Sequence, residues 1–385
     1  MQDKMKTEAI ESDGSAPPVD GQFASVYSVL TDAIAARTFP GCAFGVLADG
    51  KVVLQDALGR ATYDSDSFAV TAETIYDVAS ITKVVATTAS AMLLAQRGVL
   101  DLDTPLGELL PGFVVGRSSG ERARDVTIRH LLGHNSGLPG YVALFRTERT
   151  SEGLLRAALQ LPIEAEPGTR AEYSDPGFIL LGKALEVLIR ESLATWTERE
   201  VFGPLQLAAS CFNPAPSARP FIPPTEEDTS LRYRRVQGEV QDENAWVLKG
   251  IAGHAGVFSS VPDLLRFAGT ILGGESDQSG RAPSQPLFSG ETVQQFAKRQ
   301  CPEGSSRALG WDTPSEKSSA GQYFSANSIG HLGYTGCSLW IDLDAKIAVI
   351  LLTNRTWPDR KSQLIRDVRP AFHDAVRDAL KSIYK

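Results

Sequence analysis

The chain has 385 residues, 42% of them hydrophobic, with 34 glycines and 22 prolines scattered along it, which fits a packed globular protein and excludes a fibrous or low-complexity chain. Acidic residues outnumber basic ones by 46 to 38, a formal charge of −8, and the densest basic cluster, between Arg232 and Arg235, is too short for a phosphate-binding stripe, so nucleic acid is excluded as a partner. Cys42, Cys211, Cys301 and Cys337 form no CxxC pair, which suits reduced thiols, with Cys42 and Cys337 read as small core residues.

Residues 1–20 are polar, with no apolar stretch of signal-peptide length, and read as a flexible leader; the chain as it stands is expected in the cytoplasm. Helical spacing covers 26–36. The segment 43–57 reads as two strands about an Asp49-Gly50 turn, a β-hairpin. Further helices are expected over 81–96, 154–160, 178–189 and 262–272, where Pro262 suits a first turn, while the Pro- and Glu-rich segment 213–229 reads as loop. Residues 338–341 and 347–352 are β-rich runs about a turn at 342–346, a second hairpin, and 371–383 reads as a closing helix. The apolar run 347–352 is far too short to cross a bilayer, and no membrane span is expected.

Strands at both ends with helical material between them predict an α/β (α+β) fold. Both chain ends build one antiparallel sheet flanked by helices, and a mainly helical subdomain is inserted. The expected division is 21–79 with 300–385 as sheet core and 80–299 as the inserted region of a single domain.

Ser80-Ile81-Thr82-Lys83 sits where an extended piece, from Ile75 to Ala79, runs into an apolar helical pattern. On a helix, i and i+3 share a face, so the Lys83 amine would stand beside the Ser80 hydroxyl. A serine needs a base to become a nucleophile, and a lysine serves only if burial or other cations lower its pKa. The pattern alone is cheap: Ser382-Ile383-Tyr384-Lys385 matches it at the C-terminus, where no pocket could surround it.

The stretch Tyr76-Asp77-Val78-Ala79-Ser80-Ile81-Thr82-Lys83 resembles the first motif of the serine β-lactamase and penicillin-binding-protein superfamily, which includes class C β-lactamases, DD-peptidases and β-lactamase-like esterases. The resemblance continues in order from Thr127 to Pro139, in Glu166-Pro167-Gly168-Thr169 leading to Tyr173-Ser174-Asp175, in Gly253 to Ser259 and in Gly330 to Gly336. It implies catalytic roles for Ser80, Lys83 and Tyr173, with Tyr173 sharing the proton work. A phenol with a free pKa near 10 acts at neutral pH only if a cation holds its ionised form, and Lys83 is the obvious one. Many relatives have Asn where this chain has Asp175. An ionised Asp175 favours a charged lysine and shifts basic character toward Tyr173.

The third motif is His331-Leu332-Gly333, where the family usually has Lys, then Ser or Thr, then Gly. The resemblance implies that a lysine and a hydroxyl hold the carboxylate of a β-lactam there. His331 is largely neutral at pH 7 unless its surroundings raise its pKa, and Leu332 has no side-chain donor. Gly333 is expected to let substrate approach the strand. The backbone N–H groups of Tyr334 and Ser80 are the implied oxyanion hole.

These residues point to a serine hydrolase forming a Ser80 acyl-enzyme on a small ester or amide. An esterase or amidase is favoured over a true β-lactamase or a D-Ala-D-Ala peptidase, and the chemistry requires no cofactor or metal. A non-catalytic binding module would be expected to lose Ser, Lys or Tyr. An α/β-hydrolase rests only on Gly116-Arg117-Ser118-Ser119-Gly120, which a charged run follows where an elbow needs an apolar helix. His130 and His134 lack the His-Glu-x-x-His context of a metal site and read as loop-shaping residues. Asp242 to Ala245 and His254 are as well suited to structural duty as to lining a pocket. Tyr141 reads as rim or core, and Trp311 and Trp340 as core.

Overall fold

The structure, a computed structural model, describes residues 21–117, 120–273 and 286–381. The expected leader, Ser118 and Ser119 of the Gly-x-Ser-x-Gly match, and the C-terminal Ser-x-x-Lys copy at 382–385 lie outside the described residues.

Five strands form the main sheet: β1 (Gly41–Ala48), β2 (Lys51–Gly59), β3 (Ser328–Leu332), β4 (Ser338–Asp342) and β5 (Ile347–Thr353). The order is β2-β1-β5-β4-β3, and every pairing is antiparallel. The chain ends meet where β1 pairs β5, with Phe44 opposite Leu351. The first hairpin turns at Asp49 and Gly50, both at positive φ (46° and 73°), the pairing that lets a two-residue loop follow the twist of its strands.

Both faces of the central strands are covered, so β1 is buried along its whole length rather than alternating. On one face Phe44, Val46, Val349 and Leu351 pack with Val26 and Leu30 of the N-terminal helix Ala24–Ala35 and Phe372 and Val376 of the C-terminal helix Ile365–Lys381. Burying a side chain such as Phe44 stabilises the fold by about 1.5–3 kcal/mol. On the other face lies the helix Val261–Ile271. It comes so close that a Cβ on Gly45 would stand 2.5 Å from a Val261 methyl.

The expected helices are present as Ser151–Leu159, Asp175–Ile189 and Val261–Ile271. The 81–96 segment is helical but not uniform: a 3-10 turn Ala79–Ile81 gives way to a π-helical stretch Lys83–Thr88 and then to an α-helix Ala89–Gln96. Such π-bulges recur where a helix carries a functional side chain. Two readings are corrected. The C-terminal helix begins at Ile365 rather than 371: Ile365 is buried in the same core as Phe372 and Val376, and Pro370, inside the helix, gives up one backbone N–H. The 213–229 loop holds a short strand, Glu226–Asp228, paired with Arg234–Val236.

Candidate active site

A two-stranded contact sets the nucleophile's position. The strand Tyr76–Asp77 pairs with Val257–Ser259, and the chain then turns sharply at Ala79, at φ 47°, a left-handed conformation that costs a non-glycine residue about 1–2 kcal/mol. Two bonds hold the turn. Asp77 Oδ1 accepts the Ala79 N–H at 2.8 Å, and Asp77 Oδ2 accepts the Gln241 N–H at 2.7 Å. Burial pushes the Asp77 carboxyl up to about 6. Ser80 follows at the floor of a cleft of about 740 Å³, and Lys83 lies just beneath that floor with no solvent exposure.

Lys83 Nζ reaches three acceptors: Ser80 Oγ at 3.0 Å, Asp175 Oδ1 at 2.7 Å and the His254 carbonyl at 3.0 Å. An ammonium has three protons, so the charged form is fully satisfied. The neutral amine keeps two protons for the carboxylate and carbonyl and turns its lone pair to Ser80. Burial works to lower the Lys83 pKa but is outweighed by the Asp175 carboxylate and by Tyr173, so the pKa is raised.

Asp175 is the first residue of the helix Asp175–Ile189, but the cap belongs to Ser174, whose Oγ accepts the Gly177 N–H at 3.0 Å and donates to the Pro139 carbonyl at 2.7 Å. That division of labour leaves the Asp175 carboxylate free for Lys83. Tyr173, just before the cap, interacts through its hydroxyl with both Lys83 and Ser80. Burial raises its pKa, and Lys83 opposes the rise. Its ring is held between His134 and His331, with centroids 4.6 and 5.9 Å away, and the Arg307 guanidinium stands 5.2 Å from the ring centroid.

His331 donates Nδ1–H to the Leu332 carbonyl at 2.8 Å, since a carbonyl can only accept; Nε2 is therefore the unprotonated nitrogen. Burial, reinforced by Lys83 and Arg307, holds the ring neutral with a pKa well below the usual value. Gly333 lines the cleft, and the direction its Cβ would take is filled by protein: a Cβ there would stand 2.5 Å from the Val78 carbonyl, so the glycine lets the end of β3 rest on the Ser80 turn. Thr335 Oγ donates to the Asp77 carbonyl at 2.8 Å and ties the same two pieces. The Gly333 carbonyl accepts from the Gly336 N–H at 3.0 Å and from Arg369, so across the trans peptide the Tyr334 N–H points the other way. That N–H has no partner among the described residues.

Ser80, Tyr173, Asp175, His331, Gly333 and Tyr334 thus share one cleft. Residues 27–370 match the sequence profile of the family described as Beta-lactamase. The chain belongs to the β-lactamase family. An N-acetylmuramyl-L-alanine amidase of Bacillus subtilis is 28% identical over 352 residues, 83% of this chain and 78% of that protein. In fold, this β-lactamase-family hydrolase is similar to a penicillin-binding protein homologue from Caulobacter crescentus, with a TM-score of 0.73 at 16% identity, covering 96% of this chain and 99% of that one. It is also similar to a class C β-lactamase from Rhodobacter sphaeroides, with a TM-score of 0.69 at 20% identity, covering 94% and 99%. The protein is a β-lactamase-related serine hydrolase.

Around the hydrolase site, His130 caps the helix Ile128–Leu132 with Thr127, and His134 accepts the Ser174 N–H at 3.0 Å. Trp311 and Trp340 are core, and Tyr141 is an exposed rim residue. Asp242 and Glu243 line the cleft. Asp242 accepts from His254 Nε2 at 2.8 Å; burial opposes its ionisation, and the His254 contact outweighs it, bringing the Asp242 pKa down to about 2. Arg307, Arg355, Arg366 and Arg369, which line the same cleft, belong to no local motif, and nothing in the sequence pattern points to them. Among the described residues no helix is long and apolar enough to cross a membrane.

Proposed function

We propose that this hydrolase cleaves small ester or amide substrates through an acyl group on Ser80, with an esterase or amidase favoured over a β-lactamase. The observation that carries the reading is the Ser80, Lys83, Tyr173 and Asp175 cluster, in which one buried amine touches both the hydroxyl and a carboxylate.

The Lys83 and Tyr173 pKa values are both raised, so each holds its proton at rest. Loss of one proton from this coupled pair creates the base. With Asp175 favouring the ammonium, the deficit settles on the Tyr173 oxygen. That oxygen takes the Ser80 proton as Oγ attacks the substrate carbonyl carbon. The C=O π pair moves to oxygen, and the resulting oxyanion accepts hydrogen bonds from the Ser80 and Tyr334 N–H groups. Collapse expels the alcohol or amine, which takes the proton back from the pair, and water then repeats the sequence to free the acid.

Preference against β-lactams rests on His331 and Leu332. A neutral ring and an aliphatic side chain offer neither the cation nor the hydroxyl that a β-lactam carboxylate would meet in the third motif. The name of the Bacillus subtilis relative favours amides as the second class to test. The test is turnover of p-nitrophenyl acetate and a short-chain ester panel beside nitrocefin. A burst of nitrophenol that vanishes in Ser80→Ala is expected; rapid nitrocefin turnover with inert esters would reverse the preference.

A further inference from the structure

A closed circuit of hydrogen bonds runs behind the nucleophile. Asp77 Oδ1 holds the Ala79 N–H at 2.8 Å, directly before Ser80, and Asp77 Oδ2 holds the Gln241 N–H at 2.7 Å. Asp242, the next residue, accepts from His254 Nε2 at 2.8 Å, and the His254 carbonyl accepts from Lys83 Nζ at 3.0 Å. Lys83 Nζ then returns to Ser80 Oγ at 3.0 Å. The serine and the lysine are therefore tied to each other twice, once by the three-residue spacing between them and once around this circuit.

Asp77 is the link whose work depends on its charge. It is 2% exposed and lies outside the lining of the cleft. Each of its two oxygens accepts a backbone N–H, which neither an amide nor a protonated carboxyl can match, since each has one good acceptor oxygen. The pieces that it joins are anchored elsewhere. Thr335 Oγ donates to the Asp77 carbonyl at 2.8 Å, and Arg232 Nη2 donates to the Gln241 carbonyl at 2.8 Å. The titratable groups facing the carboxylate are Asp242, which disfavours its ionisation, Arg232, which favours it, and the Cys337 thiol. Burial outweighs the two N–H bonds and brings the pKa up to about 6, so at neutral pH the charge is kept at a cost in stability.

We propose that Asp77 is a positioning residue for acyl transfer: the two N–H groups it accepts set the Ser80 turn against the segment that, through Asp242 and His254, holds Lys83. The role rests on the Ser80 acyl-transfer reading above. Protonation of the carboxyl leaves one of the two N–H groups without its acceptor. Ala79, held at φ 47°, then relaxes, and Ser80 moves relative to Lys83. Asp77→Asn, of the same shape, reproduces that state at every pH.

Pre-steady-state burst kinetics with p-nitrophenyl acetate, on the wild-type and Asp77→Asn proteins, test this role. The acylation rate at saturation is expected to fall by about 10- to 100-fold in the variant. The ester concentration that half-saturates the burst should stay within about threefold, because Asp77 does not line the cleft. The pH profile gives a readout that a merely structural residue would not move. Below about pH 6 the wild-type second-order acylation rate should steepen from about one to about two tenfold losses per pH unit, as Asp77 gains a proton in addition to the Lys83 and Tyr173 pair. Asp77→Asn should keep about one throughout. Acylation within twofold of wild type, a half-saturation that rises as far as the rate falls, or steepening that persists in the variant overturns the positioning role. If Asp77→Asn does not fold, the wild-type profile decides, and an unbroken slope through pH 6 overturns it. A wild-type protein that forms no acyl group on Ser80 would instead overturn the acyl-transfer reading.

Discussion

Lys83 Nζ and Asp175 Oδ1 stand 2.7 Å apart at a point where the lysine has no solvent exposure. The carboxylate raises the Lys83 pKa and contributes to raising that of Tyr173, so it delays the proton loss that creates the base. Asp175→Asn removes that effect from both groups. The acidic limb of the kcat/KM profile should move to lower pH. A limb that stays where it is would mean that the pair does not control the reaction.

Tyr173→Phe keeps the ring between His134 and His331 and removes only the hydroxyl that meets Ser80 and Lys83. Loss of a general acid–base group of this kind lowers kcat by about 10²–10⁴-fold. KM should change much less, since the ring's packing survives. Steady-state kinetics on one ester measures both, and a kcat within threefold of wild type would remove Tyr173 from the proton path.

Gly333→Ala places a methyl group against the Val78 carbonyl, where the ideal Cβ would come within 2.5 Å. β3 must then lift from the Ser80 turn, at a cost of about 1–3 kcal/mol. Activity should fall together with Tm. A variant with native Tm and native activity would show that the close approach is not required.

His373 is buried and neutral, donating Nδ1–H to the Ser319 carbonyl at 2.8 Å and accepting at Nε2 from Ser338 Oγ. Burial brings its pKa down to about 3, far below its value in the unfolded chain. The unfolded state therefore binds the extra proton first as pH falls. Stability from this group is complete above about pH 6.5 and is lost toward pH 3, at about 1.4 kcal/mol per pH unit. Denaturant melts from pH 7 to 5 should show the decline, and His373→Asn should flatten the slope even though its stability at pH 7 is lower.

What was legible in the sequence was local. The Asp49-Gly50 turn carries its own backbone requirement, and Ser80 and Lys83 are three residues apart, so spacing alone puts them side by side. The Tyr173 and Asp175 block was legible through its order in the chain. The tautomer of His331 was not, because the carbonyl that sets it belongs to the backbone of Leu332. Gly333 had a second duty that spacing did not show: besides lining the cleft, it leaves room for the Val78 carbonyl. The arginines that line the cleft have no signature, since Arg355 and Arg369 come to it only after β5 and the C-terminal helix pack against the third motif.

The most direct test of the central claim is mass spectrometry of the protein after reaction with a fluorophosphonate probe. A single adduct on the peptide containing Ser80, lost in Ser80→Ala, slowed in Tyr173→Phe and accelerated in Asp175→Asn below the wild-type acidic limb, is the expected result. An intact Ser80 peptide with the label elsewhere, or no label on a folded protein, would contradict it.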